Sequence, residues 1–249
     1  MGFYVVTHKK LKKTFPEGYK TIVVNSNVNK IQGDIYDNVG DNISSKNGSY
    51  CELTAIYWLW KNCNDSFIGI DHYRRFFIEN ESYLTVQSAE KLINDHIIIL
   101  PEKEKFRRNM SSLYYTSSGY KNDLKVLRQV INRKYPKYIV DFDRFMQQHE
   151  MYCYNMSVMN KKDFDQYCNW LFDILFETEK ILNSQNKGVN NRKGYFKRIY
   201  GFMSERLLNI YVMHNNFKAI ELPVKFDGQK PTTVQRIFSK LKKIKYKYL

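Results

Sequence analysis

DNISSKNGSYCELTAIYWLWKNCNDSFIGIDHYRRFF, residues 41–77, decides how this chain is read. It runs as a polar loop, an amphipathic helix and a short apolar strand that stops at Asp71-His72-Tyr73-Arg74-Arg75. Ser49-x-x-Glu52 has capping-box spacing, which predicts a helix over 49–62 with Glu52 as part of its cap. Leu53, Ile56, Tyr57 and Trp60 recur at helical spacing, so the aromatic residues Tyr50, Tyr57, Trp58 and Trp60 read mainly as core. Residues 67–70, FIGI, read as a buried strand. In an open α/β sheet, ligands bind beyond the carboxyl ends of the strands, which is where the charged pentad falls.

Outward from this stretch, strands and helices alternate. Residues 3–7 and 21–24 predict short strands, the first ending at Thr7-His8. Those two residues are candidates for nucleotide contact or form a plain surface turn. Residues 26–48 are a polar loop, in which Asp41, Asn42, Ser44, Lys46 and Asn47 offer donors and acceptors suited to ribose or sugar hydroxyls. Turn chemistry explains the same residues. Thr85 caps a helix to about residue 95, and 96–100 form a strand stopped by Pro101. Residues 102–120 read as a flexible loop of the lid type, 121–134 and 138–148 as helices, and 151–159 as one strand. A helix opens at Asp163, a second polar loop covers 183–198, a helix covers 204–214, and 219–222 form a last strand. This alternation predicts an α/β fold in a single domain over 1–230.

The composition narrows the function classes. At 43% hydrophobic residues over 249 positions a substantial core can form. No apolar run reaches the roughly 18 residues of a membrane span, and the N-terminus lacks a secretory signal, so a cytoplasmic protein is expected. Cys51, Cys63, Cys153 and Cys168 form no C-x-x-C pair and read as reduced thiols. The net charge of +15 fits nucleic acid, an anionic membrane or a phosphorylated substrate. No nucleic-acid recognition signature accompanies it, so nucleic acid is not expected as a partner. Residues 231–249 place Ile237, Phe238, Leu241 and Ile244 at helical spacing among lysines, the pattern of a basic amphipathic tail for an anionic membrane surface, with 232–249 as the docking segment.

Transfer of a sugar from a nucleotide needs the departing diphosphate neutralised. An Asp-x-Asp pair at a strand end does this through a metal, but here Tyr73 stands in the second position. Asp71 alone could hold Mg2+ or Mn2+, or Arg74 or Arg75 could supply the positive charge through a bidentate fork. Strand alternation predicts that only one of the two arginines faces the site. The literal matches Asp141-x-Asp143 and Asp163-x-Asp165 fall in helices, where i and i+2 diverge, and read as cap and surface residues. Glu205, in Ser204-Glu205-Arg206, is the first candidate for the base that takes the acceptor proton, ahead of Asp227 and Glu150. A first-turn glutamate complementing the helix dipole would look the same. Asn155, polar amid apolar neighbours, lines the acceptor site or satisfies backbone groups.

DNIS-x-KN-x-x-YCELTA-x-YW-x-WKN, HYRRFF, YNMSVM and SERLLNIY resemble the bacterial glycosyltransferases of capsular and exopolysaccharide gene clusters that carry a domain long labelled as of unknown function. Some members are described as galactofuranosyltransferases. The resemblance spans roughly residues 3–225. It implies a glycosyltransferase-A-like fold with a Rossmann-like sheet, the donor site in the N-terminal half and the acceptor site in the C-terminal half. It implies inverting transfer from a nucleotide donor such as UDP-galactofuranose to a lipid-linked oligosaccharide, in capsule, O-antigen or exopolysaccharide synthesis at the inner face of the membrane. By matched position it carries over Asp41, Asn42, Ser44, Lys46, Asn47, His72, Tyr73, Arg74, Arg75, Asn155, Glu205 and Arg206. Two other classes stay open: a basic nucleic-acid-binding protein, and a non-catalytic scaffold of polysaccharide assembly.

Overall fold

The computed structural model describes residues 2–228. The tail, 231–249, lies outside the described residues. β1 (Gly2–Thr7), β2 (Tyr19–Val23) and β3 (Ile35–Tyr36) run parallel, and β4 (Phe67–His72) lies parallel to β1 on its other side. Between β3 and β4 the chain forms α1 (Asn47–Tyr50) and α2 (Leu53–Asn62). β5 (Arg75–Glu79) folds back antiparallel on β4, and β6 (Ser82–Tyr83) pairs with β5. There follow α3 (Val86–Leu92), β7 (Ile97–Pro101), β8 (Glu104–Lys105), α4 (Met110–Ser117), α5 (Lys121–Lys134) and α6 (Ile139–Gln147). β9 (Glu150–Met151), β10 (Val158–Asn160), α7 (Lys161–Ser184), α8 (Ile199–His214), β11 (Lys218–Leu222) and β12 (Val224–Phe226) complete the described chain.

The central sheet has the order β11-β7-β10-β4-β1-β2-β3, with β10 antiparallel between β7 and β4. β12 joins through β5. Helices cover the sheet, so β1 and β4 are buried along their whole length, as continuous apolar strands of α/β sheets are. Gly69 is required in β4: a Cβ there would sit 2.6 Å from the ring of Phe3 on the neighbouring strand. α7 is capped by Asn160, whose side chain accepts from the amide of Asp163 at 2.8 Å, and buries Phe164, Leu171, Ile174 and Leu175 in the core. The four cysteines are free, and no helix among the described residues is long and apolar enough to cross a membrane.

Four local readings change. The helix expected over 49–62 is two helices, because Cys51 takes φ +54° between them. Ser49 donates to the Lys46 carbonyl, and Glu52 makes no side-chain cap, which frees its carboxylate. The strand expected over 151–159 is interrupted by a turn at Tyr154 and Asn155, with φ +78° and +54°. The expected lid, 102–120, contains β8 and α4, and α4 buries Met110 and Tyr114 in the core. Finally, α8 starts at Ile199, so Glu205 sits in its second turn and helix-dipole capping does not explain it.

Candidate active site

A cleft of about 800 Å³ opens over the carboxyl ends of β1, β2 and β4. Val6, His8, Val24 and Asn25 line it from β1 and β2. Burial, together with the charges of Lys9, Arg74 and Arg198, pushes the His8 pKa down, so the ring is neutral near pH 7 and stands edge-on to Tyr73 at 4.6 Å.

The β4–β5 hairpin supplies His72, Tyr73, Arg74 and Arg75, all four facing the cleft. Simple alternation would turn one arginine away. The chain instead reverses at Tyr73-Arg74, with His72 paired to Arg75, and brings both guanidinium groups to one side. Arg74 lies over the rings of Tyr73 (4.7 Å) and Phe226 (5.5 Å). Arg75 lies over Tyr154 (4.2 Å) and Phe226 (5.4 Å). Aromatic faces hold a guanidinium without neutralising it. Neither arginine makes an ion pair among the described residues, and Arg74 Nε is buried without a hydrogen-bond partner. A third arginine, Arg198, enters from the opposite wall, with Nε donating to Cys51 Sγ at 3.0 Å and a terminal nitrogen 4.0 Å from Glu52.

His72 Nε2 is 2.7 Å from the Tyr154 carbonyl. That oxygen only accepts, so Nε2 carries the proton. Burial pushes the His72 pKa down, which leaves Nδ1 with a lone pair. The turn at Tyr154-Asn155 carries two carboxylates. The Tyr154 amide donates to Glu205 Oε1 at 3.1 Å, and Asn155 Nδ2 donates to Glu52 Oε1 at 2.6 Å. Asn155 is itself fixed, accepting from Ser204 Oγ at 2.8 Å. Glu205 has its pKa pushed up to about 7, mainly by burial and further by the Glu52 charge, against the pull of Arg206 and Arg198 and of the Tyr154 amide. Its side chain remains 24% exposed to the cleft. A carboxylate in this state can exchange protons near neutral pH.

The cleft gathers His8, Asn47, His72, Tyr73, Arg74, Arg75 and Glu205 from the sequence candidates. The others stand elsewhere. Asp71 points to the opposite face of β4 from His72, fully buried, accepting from the Phe77 amide at 3.2 Å. Burial pushes its pKa up to about 8. It is therefore corrected from donor or metal contact to a buried strand residue. Thr7 closes its own turn on Lys9. Ser44 donates to Asp37, Lys46 pairs with Glu179, Asn42 caps the Ser44 amide, and Asp41 accepts from Tyr57. These four build the scaffold of the loop and do not line the cleft. Arg206 does not line it but is buried behind Glu205, with Nη1 donating to the Phe202 carbonyl and standing 4.0 Å from the Glu205 carboxylate, and Asn155 lies beneath the cleft as a support. Asp227 pairs with Lys13 and Glu150 with Lys103, and Asp141, Asp143 and Asp165 pair with basic neighbours on the surface. Asp163 is buried and accepts from the His96 amide at 3.0 Å.

Sequence reading missed Glu52, Arg198 and Tyr154 as cleft residues. A capping box accounted for Glu52, and Arg198 stood among other basic residues of a polar loop. Only the apposition of Tyr154 with Asn155, a residue type that tolerates positive φ, marked the turn.

A family model described as a domain of unknown function, DUF4422, matches residues 2–216. No curated protein matches the chain. A solved structure described as the apo form of the bifunctional glycosyltransferase WbbM is similar, with 27% identity over 92% of this chain and a TM-score of 0.81. This chain spans 45% of that one, under half its length. The mixed α/β sheet with flanking helices, shared with that structure, is a glycosyltransferase-A-like fold.

Proposed function

The chain belongs to the DUF4422 family, and from that membership and the architecture of its cleft we propose that it is a glycosyltransferase acting on a nucleoside-diphosphate sugar. One observation carries the reading. Two guanidinium groups that make no ion pair among the described residues, those of Arg74 and Arg75, share the cleft with Arg198 and with a carboxyl group poised near pH 7. Free guanidinium forks suit a diphosphate, and a carboxylate of that basicity suits an acceptor hydroxyl.

The nucleoside lies over the ends of β1 and β2, near His8 and Asn25, with the diphosphate against Arg74 and Arg75. The acceptor hydroxyl oxygen attacks the anomeric carbon as the bond to the diphosphate oxygen breaks. The bonding electrons leave with the diphosphate, whose growing charge the arginines stabilise. The hydroxyl proton passes to Glu205. A single displacement of this kind inverts the anomeric centre.

The carboxylates lining the cleft are Glu52 and Glu205, Asp71 does not reach it, and no group of three acidic, histidine or cysteine side chains among the described residues could hold a metal. The protein offers no closed cage for a resident Mg2+ or Mn2+, and no step here uses one. UDP-galactofuranose and a lipid-linked oligosaccharide are the first substrates to test, on the resemblance of the motifs. The basic segment 231–249 supports a docking role at an anionic membrane surface, where such an acceptor resides.

Titration calorimetry with UDP and UDP-sugars tests the site. The unsubstituted protein should bind UDP, and Arg74→Ala and Arg75→Ala should each weaken it by roughly 10- to 100-fold, the worth of a charge-assisted hydrogen bond. Equal affinity in all three proteins would remove the arginines from the site.

A further inference from the structure

The cleft contains a second carboxylate that the transfer step leaves without a task. Glu52 opens α2 directly after Cys51, whose positive φ turns the chain so that the Glu52 side chain faces inward. Its Oε1 receives the Asn155 amide at 2.6 Å, and the guanidinium of Arg198 stands 4.0 Å away. Asn155 makes two further bonds, donating to the Gly201 carbonyl at 3.2 Å and accepting from Ser204 at 2.8 Å. Gly201 and Ser204 belong to α8, the helix that presents Glu205. The residue before Asn155 donates its backbone N–H to Glu205. One two-residue turn thus holds both acids and is pinned to the helix that carries one of them.

We propose that Glu52 is a positioning residue that acts on the reaction through Glu205: Asn155 ties its carboxylate to the same turn that holds Glu205, so the two acids keep a fixed relation inside the cleft. The proposal rests on the reading of Glu205 as the base.

The chemistry follows from placement. A negative charge held beside Glu205 opposes its ionisation, and Glu52 is among the groups that push the Glu205 pKa up. The other groups facing Glu205 are Arg206 on the same helix, Arg198 and Tyr195 just before it, Cys51 beside Glu52, and Cys153 ahead of the turn. Burial pushes the thiols and Tyr195 up, so they stay neutral near pH 7, and the two arginines pull against Glu52. Among the described residues, Glu52 is the one acidic neighbour of Glu205 lining the cleft. Without it the arginines would keep Glu205 ionised further into the acid range and make it a weaker base.

The test follows the carboxyl carbon of Glu205 by 13C NMR in the full chain, assigned with Glu205→Gln. Glu52→Gln keeps an oxygen for Asn155 and removes the charge. The Glu205 midpoint should fall from about 7 by about half a unit or more. Asn155→Gly keeps the left-handed backbone and removes the tie, and should move the midpoint in the same direction. An unmoved midpoint in Glu52→Gln overturns the coupling. A midpoint that moves in Glu52→Gln but not in Asn155→Gly overturns the tether. The ascending limb of kcat against pH, measured with the donor that calorimetry selects, should shift with the NMR midpoint. A limb that stays while the midpoint moves overturns Glu205 as the base, and with it any role of Glu52 in the reaction, and leaves the tether standing.

Discussion

Glu205 and Asp71 show how burial gives two carboxyl groups different work. Glu205 keeps an opening to the cleft, and its raised pKa makes it a proton acceptor near neutrality. The rate should therefore rise with pH through about 7, as the carboxyl loses its proton. Glu205→Gln should lower kcat by roughly 10²- to 10⁴-fold, the usual contribution of a general base, with donor affinity retained. Asp71 has no opening. Its ordinary value of 3.8 is raised to about 8 in the folded chain. Below 3.8 the group is protonated in folded and unfolded chains alike, and its contribution to stability is intact. As pH rises towards 8, only the unfolded chain loses the proton, and folding is penalised. Asp71→Asn removes this penalty. By urea unfolding it should match the unsubstituted protein near pH 4 and exceed it at pH 8 by on the order of 5 kcal/mol. An identical difference at both pH values would contradict this account of Asp71.

Among the elements, what the sequence showed clearly was apolar periodicity. The strand at 67–70 and the helices at 121–134 and 138–148 rest on it, and all three stand in the fold. The site was less legible because two unusual backbone positions build it. Cys51 and the pair Tyr154-Asn155 take positive φ inside segments whose apolar spacing looks regular, and hydrophobic pattern carries no record of φ. The turn at Tyr73-Arg74 was hidden in the same way, so the second arginine was expected to face away. The loop before α8 gives Arg198 its place, and a buried pair fixes that loop: Arg192 donates to Asp123 at 2.6 Å, with both side chains shielded from solvent. Arg192→Ala should cost about 3–5 kcal/mol in urea unfolding, because it strands a buried charge. Arg128→Ala, which breaks an exposed pair with Asp143, should cost less than about 1 kcal/mol. Equal costs would show that the loop is held by other contacts.

In the whole molecule the cleft is a meeting of distant parts. The N-terminal strands and the hairpin bring the neutral histidines and two arginines, and residues beyond 150 bring the turn, Arg198 and Glu205. The charge of +15 includes the arginines that line the cleft and the lysines concentrated in 231–249. Deleting 232–249 should reduce binding to vesicles containing anionic lipid, and raising salt should reduce binding of the full chain. Undiminished binding after the deletion would remove the tail from that role. The central claim is transfer of sugar by this cleft. Its most direct test is a transfer assay with a panel of UDP-sugars and a lipid-linked acceptor, comparing the unsubstituted chain with Glu205→Gln. The account expects a glycosylated product from the first and a loss of roughly 10²-fold or more from the second, with UDP still bound by both. Absence of product and of UDP binding across the panel, or equal turnover by the two proteins, would contradict it.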